Sequence, residues 1–230
     1  MTLKKALLFS LLFNISLILF LAGKRIYYSY LTPKPVILSV SYEPYIAAHL
    51  HVQNLLPIDS NDVVFVGTSL TTDFPVSEMF GSLHFKNRGI GFSTLTHIYN
   101  RIHTIAAAKP KKIFLEGGIN DINNNISADS VFAWYKKTIK KIQDISPATE
   151  IIVQSTPPVG MQKTPLMPEV IKLNRLLEVY CRAQQIRFAD ISTALETNGA
   201  LDSTYTYDGI HLTAPAYQHW KAAIEMYARE

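Results

Sequence analysis

Apolar residues along the chain recur with two spacings. Short runs rich in β-branched and aromatic residues, DVVFVG at 62–67, LHFKN at 83–87, KKIFLEG at 111–117, EIIVQST at 150–156 and QIRFAD at 185–190, predict strands. Longer stretches whose apolar positions fall three and four apart predict helices over 93–107, 129–144, 168–183 and 213–228. SYEPYIAAHLHVQNLL, over 41–56, predicts one more helix, packed against the domain that begins after it. Strands that alternate with helices imply parallel pairing, because a parallel neighbour is reached only through a long crossover. The expected fold is α/β: a single three-layer α/β/α domain over 41–230 with a mainly parallel central sheet.

Residues 1–25 follow neither spacing. ALLFSLLFNISLILFLAG runs from Ala6 to Gly23 without a charge, flanked by Lys4 and Lys5 before it and Lys24 and Arg25 after it. A bilayer span takes about 20 mainly apolar residues and about 17 suffice, so the run is expected to be an N-terminal transmembrane anchor or a signal segment. Signal cleavage needs small residues at both positions of an A-x-A-like site. Cutting after Ala22 pairs it with Phe20, and cutting after Gly23 pairs it with Leu21. The residues therefore favour an uncleaved single-pass helix, with the domain exported to the periplasm or the exterior; secretion after cleavage is the alternative. Flanking charges balance, so orientation rests on likeness to signal sequences and not on the positive-inside rule. Pro33 and Pro35 mark 26–40 as a short stalk.

The formal charge of +4 changes meaning once it is located. Four of the 22 basic residues flank the apolar run and no acid accompanies them, which leaves 18 basic against 18 acidic residues elsewhere. A neutral domain lacks the clustered basic footprint that nucleic acid requires. Cys181 is the one cysteine, so no intrachain disulfide forms, and its setting in LNRLLEVYCR reads as a packed thiol.

Ligands of parallel α/β sheets bind beyond the carboxyl ends of the strands, and four polar clusters fall there. They are Gly67-Thr68-Ser69 after the first strand, Asn87-Arg88-Gly89 after the second, Gly117-Gly118-Ile119-Asn120-Asp121 after the third, and Asp208-Gly209-Ile210-His211 ahead of the last helix. Ser69 is open to two readings, a turn or helix N-cap and a nucleophile in need of a base. Of seven histidines, His49, His51, His97 and His103 lie on helical stretches as surface or boundary residues, His84 lies beside a strand and His219 inside the final helix. His211 differs: it sits in the polar turn YTYDGIHLT, three residues after Asp208 and two before Thr213, the expected cap of the next helix. Such a carboxylate can hold one imidazole nitrogen while the other faces a nucleophile; the competing reading is an Asp-Gly turn followed by a surface histidine. GGIND tips the balance, because its glycines permit close approach and Asn120 offers an amide donor where negative charge develops on a substrate oxygen. Backbone amides of Gly89 or Gly91 in NRGIG offer a second donor, and Arg88 reads as a surface arginine beside a turn. No metal and no cofactor is expected, since neither H-E-x-x-H nor paired-cysteine spacing occurs.

The ordered set Gly67-Thr68-Ser69, NRGIG, Gly118-Ile119-Asn120-Asp121 and Asp208-Gly209-Ile210-His211 closely resembles the SGNH, or GDSL-like, hydrolase superfamily of esterases and lipases. The resemblance covers about residue 60 to the end, and TYDGIHLTAPAYQHW is similar to the acetylhydrolase and lysophospholipase-like branch. It implies a flavodoxin-like sheet. It also implies Ser69 as nucleophile, His211 as base, Asp208 as its orienter, and an oxyanion hole built from Ser69, Asn120 and one of Gly89 and Gly91. The implied activity is hydrolysis of a small-molecule, lipid or glycan ester, with a short acyl group such as acetyl favoured because no long apolar lid is evident. Envelope glycan O-acyl transfer, thioesterase or lysophospholipase activity, and an inactive membrane-tethered binding protein are the alternatives. Two positions depart from the family: Thr68 stands where an aspartate is common, and Phe92 where another glycine is common, which leaves the amides of Gly89, Gly91 and Phe92 itself as alternatives for the oxyanion hole.

Overall fold

The computed structural model describes residues 42–229 without a break and, before them, residues 14–16, 18, 20, 21, 23 and 24. Those earlier residues are helical. Most of the Ala6–Gly23 run and all of the 26–40 stalk lie outside the described residues, and no described helix is long and apolar enough to cross a membrane. The chain divides into Met1–Ser41 and Tyr42–Glu230.

In the second unit the elements run α1 (Glu43–Asn54), β1 (Val63–Gly67), α2 (Ser69–Thr72), α3 (Val76–Phe80), β2 (Phe85–Gly89), α4 (Leu95–Ala107) and β3 (Lys112–Leu115). They continue with α5 (Ile119–Asn123), α6 (Ala128–Ile145), β4 (Glu150–Gln154), α7 (Met167–Ala183), β5 (Arg187–Ala189), the short pair β6 (Glu196–Thr197) and β7 (Ala200–Leu201), and α8 (Ala214–Arg229). The main sheet is parallel throughout in the order β2-β1-β3-β4-β5, the flavodoxin-like order. Strands β1 and β3 are buried along their whole length, as continuous apolar runs require when helices cover both faces.

One face carries α4, α6 and α7. Helix α6 presents Val131, Tyr135, Thr138, Ile139 and Ile142 inward at helical spacing. On the other face Trp220 and Tyr217 of α8 pack on Phe74, with ring centroids 5.2 and 5.4 Å away, and Phe65 and Phe114 stack at 4.5 Å across β1 and β3. Cys181 is fully buried in α7, and burial pushes its thiol up to about 12.

The structure corrects three expectations. The second strand runs two residues further than its apolar pattern suggests, because pairing from Val63↔Phe85 to Gly67↔Gly89 carries it to the end of β1, while Leu83 stays 84% exposed ahead of it. Asn87, Arg88 and Gly89 therefore belong to the strand and not to a loop. Arg88 is buried, not a surface residue, and donates to the carbonyls of Asn87 at 2.9 Å, Leu56 at 3.0 Å and Pro57 at 3.4 Å. Thr213 holds the N-cap position of α8, its carbonyl accepting the Tyr217 amide at 3.2 Å, but the hydroxyl expected to cap the helix donates instead to the Thr204 carbonyl at 3.0 Å.

Candidate active site

The strand order reverses at β1 and β3, and that reversal opens a crevice beyond their carboxyl ends. Ser69 enters it directly after β1. Thr68 is the N-cap of α2, its oxygen accepting the Leu70 amide at 3.4 Å, so Ser69 begins a helical turn with its side chain half-buried at the sheet edge.

The loop before α8 supplies the partner. His211 Nε2 lies 3.0 Å from Ser69 Oγ, and Nδ1 lies 2.6 Å from Asp208 Oδ2. An ionised carboxylate only accepts hydrogen bonds, so Nδ1 carries the proton and Nε2 is left to accept from the serine hydroxyl. Burial raises the Asp208 carboxyl, but the His211 ring and the amides of His211 and Ile210 outweigh it and hold the group below its ordinary value. Both amides bond Oδ1, at 2.8 and 2.9 Å.

The turn itself is fixed twice over. Thr206 Oγ1 accepts the Gly209 amide at 2.9 Å and donates to the His211 carbonyl at 2.7 Å. Gly209 has φ +88°, and a Cβ there would lie 2.4 Å from the Gly160 carbonyl oxygen, to which loop the turn is joined by the Gly160 amide donating to Gly209 O at 2.9 Å. Tyr207, 65% exposed, lies parallel to the His211 ring at 5.8 Å.

Asn120 occupies the first turn of α5, after Gly118 at φ +105°. Its Nδ2 donates one hydrogen to Ser93 O at 3.0 Å, which leaves the second for another acceptor. The two glycine candidates separate. Gly89's amide donates to Asn87 Oδ1 at 2.8 Å, and the residue lies against α2, where a Cβ would come within 2.3 Å of the Thr72 nitrogen. Gly89 therefore lets the Ser69 helix approach β2 and has no hydrogen to offer an oxyanion. Gly91 lies beyond the strand, and its amide meets no acceptor among the described residues.

Beneath Ser69 lies a buried group that strand patterning does not reveal. Glu116, fully buried just after β3, accepts the Thr68 amide at 3.1 Å, the Thr68 hydroxyl at 3.2 Å and the Thr71 hydroxyl at 2.9 Å. Its signal in the sequence is an acid at the end of the apolar run KKIFLEG. Arg101, also buried, donates to the Gly67 carbonyl at 2.9 Å and the Arg88 carbonyl at 2.6 Å. The one grouping with metal-like spacing among the described residues, Asp59, Asp62 and His84, lies at the amino ends of β1 and β2, at the opposite edge of the sheet.

With this geometry in place, similarity to known proteins decides the family. The model of the GDSL-like lipase/acylhydrolase family matches residues 74–219, and subunit alpha2 of rat platelet-activating factor acetylhydrolase IB is 30% identical over 164 residues, 68% of this chain and 71% of that one. The chain belongs to the GDSL-like lipase/acylhydrolase family. This GDSL-like chain is thus a hydrolase of the SGNH type. The family match takes in Asn120, Asp208 and His211 and begins after Ser69. In fold, the GDSL-like chain is similar to a GDSL-like lipase from Bacteroides thetaiotaomicron, with a TM-score of 0.70, 20% identity, and 79% of this chain and 97% of that one covered. A variant of an acetyl-xylooligosaccharide esterase from Geobacillus gives a TM-score of 0.63 at 17% identity, with 75% and 96% covered.

Proposed function

We propose that this GDSL-like hydrolase cleaves short-acyl carboxylic esters, acetyl esters foremost, of a carbohydrate or lipid alcohol through an acyl-Ser69 intermediate. The observation that carries the reading is the continuous relay Ser69 Oγ, His211 Nε2, His211 Nδ1, Asp208 Oδ2, with contacts of 3.0 and 2.6 Å at its two joints. Two of the similar proteins are an acetylhydrolase and an acetyl-xylooligosaccharide esterase, which supports acetyl as the acyl group.

In the first half-reaction His211 Nε2 takes the Ser69 proton as Oγ forms a bond to the ester carbonyl carbon. The carbonyl electrons move onto oxygen, where the amides of Ser69 and Gly91 and the second Asn120 hydrogen receive the charge. Collapse breaks the bond to the alcohol oxygen, which leaves with the proton from His211. Water then attacks the acyl-serine, His211 accepts its proton, and the carboxylic acid departs as Ser69 regains a hydrogen. Asp208 holds the imidazole in the productive tautomer and balances its charge while it is protonated.

Initial rates on chromogenic esters of increasing acyl length test this reading, together with labelling of Ser69 by a fluorophosphonate. Wild type should favour the acetyl ester, Ser69→Ala should lose nearly all turnover and labelling, and Asn120→Ala should keep labelling at Ser69 but lose about 10²- to 10³-fold in kcat. A folded Ser69→Ala protein with wild-type kcat/KM returns Gly67-Thr68-Ser69 to the status of a strand-ending turn.

A further inference from the structure

Resting on the reading of Ser69 as nucleophile, we propose that Glu116 is a positioning residue, which supplies from the end of β3 the buried negative charge that fixes the Thr68–Ser69 turn, and that Arg101 is its counter-charge, acting through the Gly67–Thr68 peptide group.

Glu116 is fully buried and makes no ion pair among the described residues. A carboxyl group removed from water in this way is costly unless hydrogen bonds replace the lost solvent. Its hydrogen bonds all come from one turn: the Thr68 amide, the Thr68 hydroxyl and the Thr71 hydroxyl. Burial is the larger effect and raises its pKa, and the Thr68 amide and the two hydroxyls pull it only part of the way back. The case for the ionised form is the geometry, three donors from one turn that a carboxylate can accept together. Arg101 is 2% exposed, its Nε has no partner, and both terminal nitrogens donate to backbone carbonyls.

The two groups meet at a single peptide unit. Arg101 Nη2 bonds the Gly67 carbonyl at 2.9 Å, and Glu116 Oε2 accepts the amide hydrogen of Thr68 at 3.1 Å. Those atoms are the negative and positive ends of one peptide dipole, so cation and anion each grip the end they attract. The plane of that peptide fixes the Thr68 Cα, from which the Ser69 Cα is one peptide unit away, and an error of about 1 Å at a nucleophile can cost about 10²-fold in rate. Gly67 leaves the space the clamp occupies: a Cβ there would lie 2.0 Å from Thr71 Oγ1 and 2.5 Å from Glu116 Oε2. The clamp also gives Thr68 a physical meaning. A carboxylate at position 68 would stand against Glu116, whose Oε2 is 3.2 Å from the present hydroxyl; here the charge comes from β3 instead.

The test moves the charge from one position to the other in full-length protein. Glu116→Gln should lower kcat about 10- to 100-fold with KM within about 2-fold, the pattern of a lost transition-state geometry. Thr68→Asp alone, with two carboxyls in one buried space, should lower kcat by at least about 10²-fold. Thr68→Asp combined with Glu116→Gln should recover to within about 10-fold of wild type, which a role in folding alone does not predict. Thr71→Val, which removes one donor at nearly constant shape, should lower kcat about 10-fold with no new fold to find. A folded Thr68→Asp protein with wild-type kcat, or a folded double variant no better than Thr68→Asp, overturns the clamp. If Thr68→Asp does not fold, Glu116→Gln and Thr71→Val decide, and wild-type kcat in both overturns it. If wild type neither turns over esters nor labels at Ser69, the esterase reading fails on its own. The clamp is then judged by exchange of the Thr68 amide hydrogen, which Glu116→Gln and Arg101→Met should each accelerate at least about 10-fold, and unchanged exchange refutes it.

Discussion

Asp121 is the acid of the GIND block that faces away from the relay, and replacing it with asparagine has a consequence that can be worked through. The residue is 1% exposed, and its two carboxylate oxygens lie 3.1 and 3.3 Å from the amide of Leu95, the first residue of α4. It thus caps a helix from another segment of the chain. Burial raises its pKa from 3.8 to about 6, against the lowering effect of the Leu95 amide, its own amide and His97. A carboxyl with a raised folded pKa binds its proton more tightly in the native state than in the unfolded one. Its ionisation therefore destabilises the fold at pH above about 6, and the cost is relieved as pH falls through the folded value toward 3.8. About two units correspond to about 3 kcal/mol at neutral pH. Asparagine keeps an oxygen for the Leu95 amide and carries no charge, so Asp121→Asn removes the pH-dependent cost. Urea unfolding of both proteins at about pH 7.5 and about pH 5 should show the asparagine variant's stability relative to wild type to be more favourable at the higher pH by about 1 kcal/mol, since at one unit below the folded pKa the wild type has regained about that much. A stability difference that is the same at both pH values, or larger at pH 5, refutes the desolvated-carboxyl account.

The parts of this molecule that are legible in the sequence are those whose physics is local. Central parallel strands are apolar on both faces, so VVFV and KIFL announce themselves as runs, and the four long helices show the spacing of their buried stripes. An edge strand has no such run: in FKNRG the register is set by β1, and the apolar pattern misplaces the boundary by two residues. The same pattern puts Gly89 in a loop and makes its amide look available. What closes it off is the Asn87 side chain, which accepts from Gly89 and donates to the carbonyls of Thr71 and Phe74 at 2.6 and 2.8 Å, filling the gap between β2 and α2. Ser69, Asp208 and His211 are visible because their types suit a nucleophile, a base and its orienter and because they fall just after a strand or in the turn ahead of a helix, where an α/β sheet gathers its ligand-binding residues. Glu116 is not, since an acid closing a strand run reads as a terminus and its partners Thr68 and Thr71 lie 48 and 45 residues away. Contacts of that range are made by topology, and only the fold brings them together.

Two further outcomes rest on the same contacts. Gly89→Ala should destabilise the protein by about 1–3 kcal/mol and lower ester turnover, because the new Cβ meets the backbone of Thr71 and Thr72 and pushes the Ser69 helix away; an unchanged urea midpoint would contradict the close approach. Phe92 tests backbone strain at the rim of the crevice. It holds φ +60°, is 45% exposed, and stacks on Tyr42 at 3.9 Å with Tyr45 edge-on at 5.5 Å. A left-handed backbone costs a bulky residue about 1–2 kcal/mol, which glycine avoids, while loss of the ring contacts forfeits about 0.5–1.5 kcal/mol and the freer unfolded chain about 0.5–1 kcal/mol more. These terms offset, so Phe92→Gly should stay within about 1 kcal/mol of wild type by urea unfolding. Phe92→Val loses the same ring but keeps the strained angle, made worse by branching at Cβ, and should fall below the glycine variant by about 1 kcal/mol or more. Equal stability of the valine and glycine variants would mean that the left-handed angle carries no cost here, and that Phe92 is held by its aromatic neighbours alone.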